Sequence, residues 1–253
     1  MPNMCYNCVE GWEMFNLFMT GRKWKMDNIV IGIEGLVGSG KTSICRNLLE
    51  KIPNSIIFHG GNLYRGIVYA FMQKNKDNDM LSLKDTDITT IMQKLKVEIK
   101  LENNETVVYV KNKKIDEQEL QNNKTSMAVS VASNVANNTK LFYLARNIIN
   151  EFKQKYNVIV SGRALMEIYP DLDYHFFVTA SLEERVRRKA IQYNKEIDLD
   201  ELRNHIAKRD ELQEKSGFYK IYPSTIEVDV TDCESVEEST QKLLRYIKLP
   251  CTK

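Results

Sequence analysis

From residue 29 to residue 49 the chain reads Ile-Val-Ile-Gly-Ile-Glu-Gly-Leu-Val-Gly-Ser-Gly-Lys-Thr-Ser-Ile-Cys-Arg-Asn-Leu-Leu, and this stretch restricts the fold more than any other. Gly35, Gly40, Lys41 and Thr42 satisfy G-x-x-x-x-G-K-S/T, with Gly38 as a further glycine where the backbone must curl. Several main-chain N–H groups can converge on a polyphosphate only where side chains are absent and a helix N-terminus stands behind them. The context fits. A β-branched run, Ile29 to Ile33, precedes the loop, and Ile44, Cys45, Leu48, Leu49 and Ile52 follow at helical spacing until Pro53. At ordinary glycine usage the bare pattern arises by chance in about one chain in a hundred of this length, and the flanking strand and helix make it rarer. The expected triphosphate contacts are Gly35, Val37, Gly38, Ser39, Gly40, Lys41, Thr42 and Ser43. Lys41 would reach the β- and γ-phosphates, and the Thr42 hydroxyl would ligate Mg²⁺.

Other features narrow the class. The chain has 36 basic and 34 acidic residues, a net charge of +2, so no strong field marks it as a nucleic-acid or membrane binder. No apolar run approaches the ~20 residues needed to span a bilayer. The scattered cysteines (Cys5, Cys8, Cys45, Cys233 and Cys251) suit a reducing cytoplasm better than a disulfide framework. Cys5 and Cys8 form a C-x-x-C pair without a second pair or nearby histidine, which reads as incidental rather than as zinc binding. Residues 1–25 read as a dispensable extension ahead of Met26. An amphipathic anchor around Trp12, Phe15, Phe18 and Met19 is the alternative.

Further along, Ser55–Phe58 reads as a second strand, followed by a helix for which Asn62 is the expected N-cap. Residues 73–87 read as a polar loop. Lys96–Val110 alternates on both sides of Glu102-Asn103-Asn104-Glu105, the pattern of a hairpin, and suggests an inserted subdomain. Helical spacing returns over 116–155. Val158–Val160 and Asp173–Val178 read as strands, Glu201–Glu214 as a helix, and Thr225–Val230 as the last strand. Capping boxes are expected at Ser181/Glu184 and Ser235/Glu238. Strands alternating with helices predict an α/β doubly wound parallel sheet.

The order of these pieces resembles the nucleoside monophosphate kinases, most closely the bacterial cytidylate kinases. The similarity rests on the loop from Ile31 to Thr42, on Gly61-Asn62-Leu63-Tyr64-Arg65, and on Val158 through Gly162-Arg163 and Tyr169-Pro170-Asp171 to Arg185. It extends to Lys208-Arg209-Asp210, with the hairpin and Ala132–Ala136 resembling that family's monophosphate-binding insertion. It implies a P-loop kinase fold over residues 26–253, with the insertion at about 96–155 and a helical lid at about 181–216. It also implies cytoplasmic, monomeric transfer of the ATP γ-phosphoryl group to a nucleoside monophosphate, with CMP or dCMP first, and Mg²⁺ as cofactor. Arg65 and Arg163 match positions that hold the acceptor phosphate, Arg185 and Arg188 stand where the lid begins, and Arg209 matches another phosphate-bridging arginine. Lys41, Arg163, Arg185 and Arg188 are thus the expected catalytic set, and His59, Arg65, Ser133, Arg163 and Arg209 the expected acceptor contacts.

The departures from the family gather at the acceptor side. His59 and Gly60 stand where it carries Asp and then Ser or Thr, Ser161 and Ala164 where it carries Asp on either side of Gly-Arg. An arginine is replaced near Phe142, and Gln213 and Ser216 replace an Asp and an Arg. His59 could contact an acceptor phosphate, act as a base, or be a polar turn residue. Glu34 is a candidate to stand in for the missing carboxylate near Mg²⁺. A kinase for a non-nucleotide small molecule and an ATP-binding regulator without turnover remain alternatives. A GTPase switch does not fit, because neither Asn75-Lys76 nor Asn194-Lys195 runs into an Asp at the spacing guanine recognition uses.

Overall fold

The computed structural model describes residues 28–75, 79–84, 86–193 and 198–248. The expectations for residues 1–25, including the Cys5/Cys8 pair, therefore lie outside the described residues.

A single sheet of eight strands forms the centre. Its parallel part is β2 (Ser55–His59), β6 (Asn157–Ser161), β1 (Val30–Gly35), β7 (Tyr174–Thr179) and β8 (Thr225–Asp229), in that spatial order. Every residue of β1 is buried, as a strand flanked on both edges and covered on both faces must be. The pleat sends alternate side chains to opposite faces. Ile31, Ile33, Ile57, Ile159 and Phe176 enter one core, with Ile44, Cys45 and Leu48 of α1 (Lys41–Lys51) and Leu243 of a closing helix. Val30, Ile56, Phe58, Val158 and Val160 enter the other, against Ala145 and Ile149. Full burial of each such aliphatic side chain contributes about 1.5–3 kcal/mol, so both faces hold the helices firmly.

The remaining strands are a hairpin, β3 (Val97–Glu102) and β4 (Glu105–Val110), and the short β5 (Lys113–Lys114). β3 and β4 pair antiparallel over six positions, and Asn103 and Asn104 make the turn with φ of 49° and 63°. Asparagine tolerates that left-handed conformation, which matches the strand twist in a two-residue hairpin turn. The hairpin is continuous with the main sheet, because β4 pairs parallel with β2 at Ile57↔Glu105. Around it lies a core of its own, in which Leu63 and Ile67 of α2 (Gly60–Lys74) meet Ile88, Val97, Val108, Ala132 and Leu141.

The helices that follow are α3 (Ile88–Lys94), α4 (Glu117–Gln121), α5 (Asn123–Val135), α6 (Thr139–Lys153), α7 (Leu165–Ile168), α8 (Leu182–Tyr193), α9 (Leu199–Lys215) and α10 (Val236–Leu244). Two expectations need correction. Asn62 is not the cap of α2: the helix starts at Gly60, directly after β2, and His59 occupies the cap position. Residues 73–87 are not simply a loop, since α2 runs to Lys74 and Met80–Leu83 form a 3₁₀ turn whose Met80 and Leu83 are buried. Among the described residues, no helix is long and apolar enough to cross a membrane.

Candidate functional site

The C-terminal ends of β1, β2 and β6 open into one cleft of about 870 Å³, where parallel sheets bind ligands. Each strand delivers the segment that follows it: Val37–Gly40 and the first residues of α1 after β1, Gly60 and Gly61 at the start of α2 after β2, and Gly162-Arg163 after β6. In the first turn Gly38 and Gly40 have φ of 81° and 94°. Gly35 is required for space, because a Cβ there would stand 2.0 Å from the Val178 carbonyl oxygen.

Helices α3, α4, α5, α9 and α10 are capped by Asp87, Asp116, Asn122, Asp198 and Ser235, each accepting a first-turn N–H. Helices α1 and α2, which start at the cleft at Gly40 and His59, have no side-chain cap and no acidic residue in the first turn. Their leading amides carry the partial positive charge of a helix N-terminus toward the cleft and suit an anion.

Cations crowd the same space. The Lys41 ammonium lies over the loop, 3.0 Å from the Gly35 carbonyl and 2.6 Å from that of Leu36. Removal from water, and then the positive charges of Arg163, Arg209 and Arg65, hold it well below the ordinary lysine pKa, against an opposing effect of Asp210. Burial and the charges of Arg209 and Arg163 likewise hold the Arg65 guanidinium below its ordinary value. Lys189, on α8 beside Gly38, is lowered to about 8 by burial, Arg209 and Arg65. Arg163 donates from Nε to Gln213 Oε1 at 3.1 Å and lies over the Tyr219 ring. Cations that destabilise one another in one cleft mark a place for a polyanion.

The replaced acceptor-side positions form a neutral scaffold. Gln213 joins Arg163 to Ser130, and Ser216 donates to Asn134 Oδ1 at 2.6 Å, so α9 is fastened to α5. Ser133 lines the cleft and donates its hydroxyl to the Ser130 carbonyl. Ser161 lies beside the buried Cys45 thiol, whose pKa burial pushes up to about 12, so that cysteine is no nucleophile. Ala164 sits in the left-handed region at φ 53°, an uncommon choice for a residue with a Cβ. His59 is 6% exposed, and its Nε2 lies 2.9 Å from Glu105 Oε2. Arg46 joins Glu105 to Glu117, and the hydrogen bond from His59, with the Arg46 guanidinium, lowers the Glu105 pKa to about 2. His59 thus borders the cleft while already hydrogen-bonded to the hairpin.

Three sequence expectations move. Arg185 does not line the cleft. It is 6% exposed, donating to the carbonyls of Ala180 and Val37 and pairing with Asp210. Val37 does border the cleft, but its N–H is given to Asp210 Oδ1 at 3.1 Å, while its side chain packs on Val186, Leu202 and Ile206 of α8 and α9. Glu34, at 2% exposed, is no metal ligand: one oxygen accepts the Leu165 N–H at 2.7 Å and the other meets His175 Nε2 at 3.1 Å. Arg65, Arg163, Arg188, Arg209, His59, Ser133, Lys41, Thr42 and Ser43 all line the cleft. Arg188 is anchored to the carbonyls of Val230 and Ser39 and to Glu184.

Sequence reasoning missed Lys189, Tyr64 and Asn138. Tyr64 Oη, Arg65 Nε and Asn138 Oδ1 are buried polar atoms with no hydrogen-bond partner among the described residues, on residues lining the cleft. Each such atom costs about 1–3 kcal/mol unless a ligand satisfies it.

For Mg²⁺, the donor set is the Thr42 hydroxyl at the head of α1; among the described residues no group of three or more His, Cys, Asp or Glu could hold a metal. That fits an ion carried mainly by phosphate oxygens and water, as Mg²⁺ in nucleotide sites is.

A cytidylate kinase from Halalkalibacterium halodurans is 25% identical over 229 residues, spanning 88% of this chain and 99% of the relative. One from Clostridioides difficile is 27% identical over 232 residues, spanning 88% and 100%. Among solved structures, a shikimate kinase from Bacteroides thetaiotaomicron is a loose likeness, with 16% identity, 86% and 96% coverage and a TM-score of 0.39. The family model described as Cytidylate kinase matches residues 31–249, nearly the whole of the described fold, and the chain belongs to the cytidylate kinase family.

Proposed function

We propose that this protein transfers the γ-phosphoryl group of ATP to the phosphate of a nucleoside monophosphate, CMP or dCMP first, as a cytoplasmic monomer. The observation that carries the reading is the convergence of Lys41, Arg65, Arg163, Arg209 and Lys189 on a cleft that also receives uncapped helix N-termini.

Two phosphate tails repel each other, and the reaction needs them aligned within bonding distance. The amides of Gly38–Ser43 and the Lys41 ammonium hold the donor's β- and γ-phosphates. Thr42 holds Mg²⁺, which neutralises charge on the donor phosphates. Arg65 and Arg163 hold the acceptor phosphate; their guanidinium forks stay charged and match its oxygens. Arg188, Arg209 and Lys189 stabilise charge on the group in flight. The bond from the γ-phosphorus to the β–γ bridging oxygen breaks, a bond to an acceptor phosphate oxygen forms, and ADP leaves. Residues 181–216 act as the lid that keeps water from taking the phosphoryl group, and about 96–155 hold the acceptor.

A coupled ADP-release assay with MgATP against CMP, dCMP, UMP, AMP and IMP tests the reading. Turnover with at least one supports it. ATP binding without turnover on any would replace it with a kinase for a non-nucleotide acceptor, or with a nucleotide-binding regulator.

A further inference from the structure

The turn that carries Arg163 lacks support of its own. It leads into α7, a helix of four residues whose cap position is Ala164. Ala164 offers no side-chain acceptor and sits in the left-handed region, at φ 53° and ψ 37°. A residue with a Cβ stays there only where its surroundings hold it. The missing acceptor comes from β1, 131 residues away in sequence: Glu34 Oε1 takes the Leu165 N–H at 2.7 Å. The residue before it contributes as well, since the Gly162 N–H donates to the Ile33 carbonyl at 3.4 Å. Arg163 is thus held between two hydrogen bonds to the strand that runs directly into Gly35 and the phosphate loop.

Glu34 is itself held from the other side. Its Oε2 lies 3.1 Å from Nε2 of His175, on β7, and both side chains are buried. His175 Nδ1 lies 2.8 Å from Thr225 Oγ1 at the start of β8, and that oxygen also accepts the Tyr222 N–H at 3.0 Å. With one oxygen on β7 and the other on the turn after β6, the Glu34 carboxyl has no freedom to swing. Glu34 and His175 stand behind the cleft wall, whereas Arg163 and Leu165 form part of it. Their effect on a bound ligand is therefore indirect, through the main chain that carries Arg163.

Resting on the kinase reading above, we propose that Glu34, steadied by His175, is a positioning residue for phosphoryl transfer. It sets the turn after β6 against the end of β1, and so fixes the Arg163 guanidinium, with the acceptor phosphate it holds, relative to the donor phosphates on the loop. Displacement of aligned reacting groups by about 1 Å costs about a hundredfold in rate, so a hydrogen bond that fixes this separation acts on turnover as well as on folding.

Steady-state kinetics and melting of four variants, with whichever monophosphate the wild type turns over, give the test. Glu34→Met keeps the length of the side chain but offers the Leu165 N–H no oxygen. It should lower kcat by about tenfold to a hundredfold and leave the KM for ATP within about twofold. Glu34→Gln should stay within about threefold of the wild type, because its amide oxygen accepts the Leu165 N–H while its amide nitrogen donates to His175 Nε2 in the other tautomer. Combined with Arg163→Ala, Glu34→Met should lower kcat by no more than about twofold beyond Arg163→Ala alone, since it acts through the group already removed. Falls that multiply in the double variant overturn the proposal, as does a loss in Glu34→Gln equal to that in Glu34→Met, or a kcat for Glu34→Met within about twofold of the wild type. A lowered melting temperature alone produces neither the rescue nor the non-additivity. If Glu34→Met does not fold, His175→Leu, which removes only the partner of Oε2, carries the same comparison: a kcat fall of about threefold or more that vanishes beside Arg163→Ala supports the assignment, and one that persists there refutes it. In each of these refutations turnover remains and the kinase reading stands. A wild type inactive on every monophosphate defeats the kinase reading, and this assignment with it.

Discussion

Replacement of Arg185 by alanine separates a buttress from a catalytic arginine. The side chain donates from Nε to the Ala180 carbonyl at 3.0 Å and from Nη1 to the Val37 carbonyl at 2.9 Å, and it pairs with Asp210. Asp210 in turn holds the Val37 N–H at 3.1 Å and the Tyr219 hydroxyl at 2.7 Å. One guanidinium thus ties the start of α8 to the phosphate loop and, through Asp210, to α9. Truncation would leave a carboxylate without its cation and two carbonyls without donors. Breaking a buried pair from one side costs 3–5 kcal/mol; Asp210 keeps 18% side-chain exposure, so water offsets part of this and about 3 kcal/mol is expected. At about 2–4 °C per kcal/mol for a domain of this size, the melting temperature should fall by about 6–12 °C.

The assay is calorimetric melting beside steady-state kinetics, with Arg163→Ala as the comparison. Arg163 bonds to Gln213 and the Gly162 carbonyl at the cleft wall, so its loss should depress turnover while moving the melting temperature by no more than about 2 °C. If Arg185→Ala melted within about 2 °C of the wild type yet lost turnover a hundredfold or more, the side chain would have to leave its buried contacts and meet phosphate during the reaction, and the buttress reasoning would be refuted.

Two further outcomes follow from the cation cluster. Lys41→Ala should lower kcat about 10²–10³-fold or more without a large change in folding, since among the described residues its ammonium hydrogen-bonds within its own loop; near-normal turnover would remove it from the reaction. The lowered pKa of Lys189, about 8, has two consequences of opposite sense. Between that value and the ordinary 10.5 the unfolded chain holds a proton that the fold does not, so Lys189 makes the protein more stable as pH rises through this window. Polyphosphate binding restores the higher pKa and should take up protons near pH 8.5. Titration calorimetry of the ATP complex in buffers of different ionisation enthalpy should show that uptake, and Lys189→Arg should reduce it; no uptake at all would mean the ammonium does not meet the phosphates.

Much of the glycine-rich loop after β1 was legible because backbone geometry dictates it. Gly35, with Val178 O 2.0 Å from where a Cβ would stand, and Gly38 and Gly40 in the left-handed region leave almost no other residue possible, so the pattern survives in the sequence. The hairpin was legible for the same reason, through two asparagines at its turn. Capping was half legible: Ser181 and Ser235 accept the expected amides, but Glu184 pairs with Arg187 and Arg188, and Glu238 meets the Glu234 N–H. The side chain of a box glutamate goes to the strongest nearby donor, and local spacing does not say which that is.

What stayed hidden is the pairing of polar side chains across long sequence separations. Glu34 and His175 are 141 residues apart, and each satisfies the other beneath the phosphate loop. Arg185 and Asp210 are 25 apart on different helices. From the sequence, Arg185 stands in a row of basic residues and is indistinguishable from its neighbours. In the fold, Arg185 in the first turn of α8 is buried against Val37 and Asp210, while Arg188 and Lys189, one turn further along the same helix, line the cleft. The family resemblance locates the cleft. Which side chains are spent on holding it together, and which are left for a ligand, follows only from counting the partners each one already has.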